Sequence, residues 1–513
     1  MMSIPRLFRA AGTVAFALLL GQVTGLISRI LVARALGTQG ALDAFYAANR
    51  VAETLFLLVG GGALGSAFIP TFTGLLVKKE EDQAWRLASG AATLLGLTLA
   101  LLSGLCAWLA EPIVRYALAP GLAQDPALFA LTVRLVRIQL LTSALFGLGG
   151  LVVGILNARG VFFVPALMPA VYQIGWIFGT LALAPRFGID GLAWGVVLGA
   201  ALYLLLQIPA LLRQGGRYTL SLGLENAHVR QVMRLMAPRL FGVAIVQLNF
   251  WVNIWLASQM PQGSISAVTY GFTLMLMAQA VIAQSVATAL LPTLSAQAAL
   301  QKFDALRGVL ASALRAVLGL SLPAAAGLIS LGIPLIAALF QRGSFDAEST
   351  RMVYWALIFY ALGLPGHALL EILARTFYAF HDTKTPVMVG AAAMTLNIVF
   401  SLLFSRLFLR LEWPAHGGLA LANSLATWLE ALTLLWLLRK RLPGGLGLKR
   451  LLPQLGTALL AIGFMLLVLQ GVKIGLAASP AWLLTAAGVG AGGLAYGLFF
   501  VRDLRQALRS FRQ

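Results

Sequence analysis

Stretches of about 18 to 27 apolar residues recur along this chain from end to end, each long enough as a helix to cross a hydrocarbon layer of about 30 Å. A bilayer leaves backbone amides no water to bond, so a chain built this way spans as helices that satisfy their own hydrogen bonds. Little is left over for a soluble domain. The composition agrees: of 513 residues, 60% are apolar and 11% charged, with a mean hydropathy of +0.89. Spans are expected at 10–36, 41–77, 84–110, 126–157, 163–184, 191–212, 229–260, 264–298, 303–340, 350–380, 385–407, 417–438, 451–472 and 480–500. The expected fold class is therefore all-α, a polytopic membrane protein of about fourteen helices.

The net charge of +20 does not mark a nucleic-acid surface, because the basic residues fall in short clusters between the apolar runs. Arg6/Arg9, Lys78/Lys79/Arg86, Arg213/Arg217/Arg230/Arg234, Lys302/Arg307, Arg439/Lys440/Arg441/Lys449/Arg450 and Arg502/Arg505/Arg509/Arg512 all fall on one side, and the other side holds few. Cytoplasmic loops retain Lys and Arg, so both termini are expected in the cytoplasm, as an even helix number requires. The first span is too long for a signal peptide, although Ala33-Arg34-Ala35 loosely imitates a cleavage site. Cys106, the single cysteine, rules out an internal disulfide and multi-cysteine metal sites, and the four histidines lie without ligand spacing. No metal and no cofactor is expected.

An internal repeat is visible. Gly65-Ser66-Ala67-Phe68-Ile69-Pro70-Thr71-Phe72 is echoed by Ala287-Thr288-Ala289-Leu290-Leu291-Pro292-Thr293-Leu294, an offset of 222. Pro165 and Pro386 are 221 apart, and Gly191-Leu192-Ala193 matches Gly418-Leu419-Ala420 at 227. Six spans separate the copies, so both have the same orientation and an axis along the membrane normal relates them. The expected organisation is a six-helix lobe at 1–212, a linker at 213–228, a second six-helix lobe at 229–441, and a final helix pair with a basic tail at 442–513. Paired lobes of this kind bind and release a solute by alternating access, and a transporter is expected rather than an enzyme.

Ionisable residues within spans cost about 2.5–3.5 kcal/mol each on insertion scales and need a partner, a wet cavity or a nearby interface. In the first span Gln22 and Arg29 lie seven apart on one face, with Arg34 near the exit; in the second, Asp43, Arg50 and Glu53 are spaced seven and three; the fourth carries Arg134 and Arg137. Such a cation-rich first lobe suits a diphosphate headgroup, because guanidinium forks bind phosphate oxygens. The plainer alternative has Arg34, Arg134 and Arg137 snorkelling to the headgroup layer while Arg50 pairs with Glu53 or Asp43. In the tenth span His367, Glu371 and Arg375 recur every four residues, as a cavity stripe or as an intrahelical lock. Glu430 reads either as a proton- or sodium-coupling residue or as a charge near the cytoplasmic end. Asn249, Asn253, Gln279, Gln284 and Asn397 read chiefly as hydrogen-bonding glue between helices. Gly60-Gly61-Gly62 is no phosphate loop, since no strand precedes it, and marks a close approach or a bend.

Leu42-Asp43-Ala44-Phe45-Tyr46, the segment from Gly62 to Phe72, Phe340-Gln341-Arg342-Gly343-Ser344-Phe345-Asp346, and the segment from Phe377 to Pro386 that ends Asp382-Thr383-Lys384-Thr385-Pro386 together resemble the MurJ lipid II flippase family of the multidrug/oligosaccharidyl-lipid/polysaccharide exporter superfamily. The resemblance runs from about residue 10 to 441. It implies fourteen helices with a last pair that grooves a polyprenyl tail, and movement of an undecaprenyl-diphosphate-linked disaccharide-pentapeptide to the outer leaflet of the bacterial cytoplasmic (inner) membrane. The implied partners are this lipid-linked diphosphate glycan, the bilayer and cell-wall synthesis enzymes. Substrate-binding residues are then expected at Arg29, Arg50, Asp43, Glu371, Arg375, Gln22, Arg34 and Glu53. Asp43 matches a family functional position, and Arg50 stands where the family has a basic residue. The family's first-helix arginines fall at Gln22 and Ser28, its second-helix arginine at Phe56 and its eighth-helix arginine at Thr273. Export of another polyprenyl-linked glycan, cation-coupled drug antiport and a transport-inert scaffold are the alternatives.

Overall fold

The computed structural model describes residues 4–60, 62–442 and 452–510. Gly61, Lys449, Arg450 and Arg512 lie outside the described residues, as do the side chains of Arg6, Arg9, Arg502, Arg505 and Arg509. Helices account for nearly all of the described chain: α1 (Ile4–Leu36), α2 (Gly40–Leu55), α3 (Gly62–Val77), α4 (Glu81–Trp108), α5 (Pro126–Ala158), α6 (Phe163–Phe178), α7 (Ile189–Leu205), α8 (Ala227–Ser258), α9 (Ser264–Gln279), α10 (Ser285–Ala299), α11 (Phe303–Phe340), α12 (Ala347–Ala379), α13 (Lys384–Arg410), α14 (His416–Arg441), α15 (Leu452–Gly475) and α16 (Ala481–Ser510). Among the described residues twelve helices are long and apolar enough to cross a membrane, and two shorter apolar stretches, Ala67–Val77 and Gly242–Ser258, fall in the expected second and seventh spans.

Local chemistry sets several helix starts. Asp125 precedes Pro126, and its Oδ1 accepts from the amides of Ala127 at 2.8 Å and Leu128 at 3.3 Å. Asp346 caps α12 through the Ser349 amide at 2.8 Å, and Asn226 caps α8 through the His228 amide at 2.8 Å. Each cap satisfies an amide that the first turn leaves without a carbonyl. Hydrogen bonding to Ser349 holds the Asp346 carboxyl below its usual range.

The second and eighth spans are interrupted alike. A π-turn at Phe56–Gly60 joins α2 to α3, and another at Ala280–Gln284 joins α9 to α10, both shifted by 224 residues. A π-turn inserts a residue into the hydrogen-bond ladder and bends the helix. At Gly60 a β-carbon would lie 3.0 Å from Gly147 Cα on α5, so this glycine serves close approach.

By internal packing the chain divides into two compact units, residues 1–262 and 263–513. In the first, α1 packs on α6, α2 on α5, and α6 on α7. The α6–α7 crossing is built on Gly175 of α6, Gly179 just past its end, and Gly195 and Gly199 of α7, each pair spaced four apart, so the two backbones touch. The stretch 213–226 lies along α4: the Thr219 amide donates to Ser89 Oγ at 3.2 Å, and Thr93 and Tyr218 share a hydrogen bond of 2.9 Å. The sequence repeat starts its second copy at α8, yet α8 packs with α2, α3 and α4 of the first unit. Polar bonds to α2 hold it there. In the second unit α12 is the central helix, packed by α9, α11 and α14, and α15 and α16 pair with each other and lie on α11.

Candidate functional site

The first unit gathers charge on α1 and α2. Arg50 Nη1 donates to Glu53 Oε2 at 3.1 Å, their side chains being 21% and 43% exposed. The guanidinium carbon stands 4.5 Å above the Phe250 ring of α8, and Nε is buried without an acceptor. A cation over an aromatic face in a poorly hydrated setting keeps its charge and its orientation. One turn on, Thr54 donates to the Arg50 carbonyl at 2.7 Å and accepts from Trp251 Nε1 at 2.8 Å, with Gln247 Oε1 3.4 Å away. Three residues of α8 thus brace the turn that carries Arg50.

Arg29, half-buried on α1, has no ion-pair or hydrogen-bond partner among the described residues. Half-buried Tyr172 of α6 lies within electrostatic reach of both Arg29 and Glu53, which places the α1 cation and the α2 pair around one aromatic residue. Its ring meets Phe146 edge-on at 4.7 Å, and Trp176 meets Phe45 at 5.3 Å. Asp43 is 2% exposed in the first turn of α2, where the helix dipole favours negative charge. Across α2, Asn49 donates to Gln139 Oε1 at 2.9 Å and Gln139 donates to the Phe45 carbonyl at 3.3 Å, tying the helix to α5.

The structure does not bring the other first-unit candidates into this group. Gln22 is exposed, and Arg34 is exposed in the last turn of α1, where a cation complements the helix terminus. Arg134 pairs with Asp190 at 2.8 Å and Arg137 with Glu111 at 3.4 Å, both exposed at the rim.

In the second unit the tenth-span stripe divides between two neighbours. Arg375 Nη2 donates to Glu371 Oε2 at 3.3 Å and Nη1 to Thr288 Oγ1 of α10 at 2.7 Å. His367 Nε2 instead meets Asn423 Oδ1 at 3.1 Å and Thr427 Oγ1 at 3.3 Å on α14. Among the described residues no three His, Cys, Asp or Glu side chains form a metal-ligand set. The polar helix residues bond locally: Asn253 Nδ2 to the Asn249 carbonyl at 3.1 Å, and Ser401 to Asn397 Oδ1 at 3.2 Å.

The arrangement is one of cation forks, aromatic faces and helix braces. It can hold an anion.

Comparison with known proteins bears on this directly. The family model described as "Lipid II flippase MurJ" matches residues 32–484. The chain is 33% identical over 468 residues to a protein of Burkholderia cenocepacia named "Lipid II flippase MurJ", covering 90% of this chain and 89% of that one. It is 31% identical over 444 residues to a "Probable lipid II flippase MurJ" of Bdellovibrio bacteriovorus, covering 86% and 83%. The chain belongs to the lipid II flippase MurJ family. A solved MurJ structure, described as the inward closed conformation, superposes with a TM-score of 0.81 at 25% identity over 96% of this chain and 99% of that one. An inward-facing multidrug MATE transporter shares the fold at a TM-score of 0.65 and 15% identity, over 82% of this chain and 94% of that one. MurJ is a transporter family.

The positions where the MurJ resemblance sets arginines have other work here. Ser28 is buried and donates to Gln173 Oε1 at 2.7 Å, closing α1 on α6. Phe56 opens the π-turn and packs on Phe146 at 5.6 Å. Thr273 bonds back to the Thr269 carbonyl at 2.8 Å within α9. The MurJ-like Asp382-Thr383-Lys384-Thr385-Pro386 segment is a structural clamp. Asp382 accepts from the Thr385 hydroxyl at 2.6 Å, the Thr385 amide at 3.0 Å and Arg441 at 2.7 Å. Those bonds, the Thr385 hydroxyl first, hold the Asp382 carboxyl below the usual carboxylate range.

Sequence reasoning missed Phe250, Trp251, Gln247, Thr54 and Tyr172. In sequence the α8 residues sit in an apolar run about 200 positions from Arg50, with no charge to flag them. An Asn-dotted run bearing adjacent Phe and Trp was the available signal.

Proposed function

We propose that this chain flips lipid II from the cytoplasmic to the outer leaflet of the bacterial inner membrane by alternating exposure of the Arg29/Arg50 group to the two sides. Membership of the MurJ family over residues 32–484 carries this reading. The geometry supports it: Arg50 is held by one carboxylate and one ring and keeps guanidinium donors for a second anion, while Arg29 has no ion-pair partner among the described residues. Asp43 and Glu53 position the cations, and the Glu371/Arg375 pair supplies a polar patch in the second unit. The charge bias of the loops supports a cytoplasmic position for both termini. A substrate carrying net negative charge responds to the membrane potential by about 2.3 kcal/mol per charge per 100 mV, which makes the potential a drive.

The test is reconstitution with labelled lipid II, with and without an imposed potential. Lipid II becomes accessible on the opposite leaflet, and Arg29→Ala and Arg50→Ala slow it. A second reading, export of another polyprenyl-linked glycan, is favoured by Gln22, Ser28, Phe56 and Thr273 standing where the resemblance sets arginines. Transport of such a glycan without lipid II would select it, and a scaffold recruiting cell-wall enzymes would tolerate both arginine substitutions.

A further inference from the structure

The last turns of α12 are largely enclosed, with Ile372, Leu373, Thr376 and Phe377 buried. Three polar side chains come out between them on one face, because positions 371, 375 and 378 lie four and three apart. Glu371 and Arg375 are 25% and 23% exposed, and Tyr378 is 43% exposed. Thr288 of α10 joins them: also exposed, its hydroxyl donates to the Gln284 carbonyl at 2.7 Å and accepts from Arg375 Nη1 at 2.7 Å. Tyr378 lies within electrostatic reach of both Glu371 and Arg375, so the four residues make one patch within the second unit.

An ionisable pair within a span needs water or a polar ligand on its open side. Here the charge is already matched: one carboxylate answers one guanidinium at 3.3 Å, whereas Arg29 has no ion-pair partner among the described residues. A phosphate that approaches Arg375 meets the Glu371 carboxylate beside it and is repelled. A neutral hydroxyl is not. It donates to Glu371, whose Oε1 carries no hydrogen bond among the described residues, and accepts from Arg375, which spends one N–H on Glu371 and one on Thr288 and keeps the rest.

A sugar ring carries hydroxyls side by side along its edge and C–H groups on its face. The edge matches a donor and an acceptor held next to each other, and the C–H face packs on an exposed aromatic ring with a polar tip, as Tyr378 is. Resting on the flippase reading above, we propose that Glu371, Arg375, Thr288 and Tyr378 form a carbohydrate subsite, which binds the sugar of the lipid-linked glycan through its hydroxyls. The subsite lets the protein discriminate a glycan-bearing lipid from the bare polyprenyl diphosphate, a distinction that a cation group reading only phosphate cannot make.

The full chain in phosphatidylethanolamine/phosphatidylglycerol nanodiscs is titrated with fluorescent lipid II, with the same lipid-linked disaccharide lacking its peptide, and with undecaprenyl diphosphate. Wild type binds both glycan lipids more tightly than undecaprenyl diphosphate. Glu371→Gln, which keeps the shape and loses the charge, weakens both glycan lipids by about tenfold and leaves undecaprenyl diphosphate unchanged or tighter. Tyr378→Leu also weakens the glycan lipids selectively, whereas Arg50→Ala weakens all three. Melting temperature checks folding, and if one subsite variant melts early the other reads the subsite. The proposal is overturned if wild type does not prefer the glycan lipids, if the folded subsite variants affect all three lipids equally or not at all, or if the loss appears only with the peptide attached. If wild type binds none of the three, the flippase reading fails, and saturation-transfer NMR with the soluble N-acetylglucosamine disaccharide decides on the subsite. Transfer to the sugar protons that is lost in E371Q supports it; no transfer from wild type overturns it.

Discussion

Arg50→Ala is the sharpest perturbation of the proposed binding group. The guanidinium has five N–H donors. One is spent on Glu53 at 3.1 Å, and the buried Nε has no acceptor, so the Nη groups keep donors for a phosphate. Charged hydrogen bonds are worth about 1.5–3 kcal/mol each, and with the side chain 21% exposed the lower figure applies. Two such bonds lost amount to about 3 kcal/mol, or on the order of 100-fold in affinity. Arg50→Lys keeps the charge but loses the fork, which costs about tenfold. Glu53→Gln removes the competing negative charge but keeps an amide oxygen that still positions the fork, and leaves binding equal or tighter. Arg134→Ala, at an exposed rim pair, is the control. Binding of fluorescent lipid II to protein in nanodiscs reads all four, with melting temperature as the check on folding. An Arg50→Ala protein that melts like wild type and binds within about twofold of it would refute the assignment.

Two further outcomes concern the scaffold. Asp382, with its folded pKa depressed by Thr385 and Arg441, contributes stability that is complete above its unfolded value of about 3.9 and is lost as pH falls through the lower folded value. The melting-temperature gap between wild type and Asp382→Ala therefore narrows below about pH 4, and a gap constant from pH 7 to pH 3 would contradict the clamp. Gly195→Val drives a side chain into the Gly179 backbone and destabilises by about 1–3 kcal/mol in thermal or denaturant unfolding, whereas Gly104→Ala, facing open space, is neutral. Equal stability of the two variants would mean that α6 and α7 do not meet there.

Most of the fold was legible in one dimension because the bilayer permits so few solutions. Length and hydropathy gave the spans, and the π-turns at Phe56–Gly60 and Ala280–Gln284 stand 224 residues apart, within the 221–227 offsets of the sequence repeat. The glycines from Gly60 onward were readable as a close approach or a bend, but not as the π-turn that ends at Gly60. Within the proposed binding group, Arg50 and Glu53 were readable as an i, i+3 pair, since helix geometry alone brings them together. The tenth-span stripe was readable as one face, but not as split between α10 and α14, because one helix face can meet two neighbours.

Sequence by itself determined that the chain is a bundle of membrane helices with charge at chosen depths, since backbone hydrogen bonding and hydration act on each segment locally. Tertiary structure decided which charges are partnered. It set Phe250 over Arg50 and put α8 with the first unit. Those outcomes depend on contacts between residues far apart in the chain, and the energy of a charge in a membrane is fixed by what stands within a few ångströms of it.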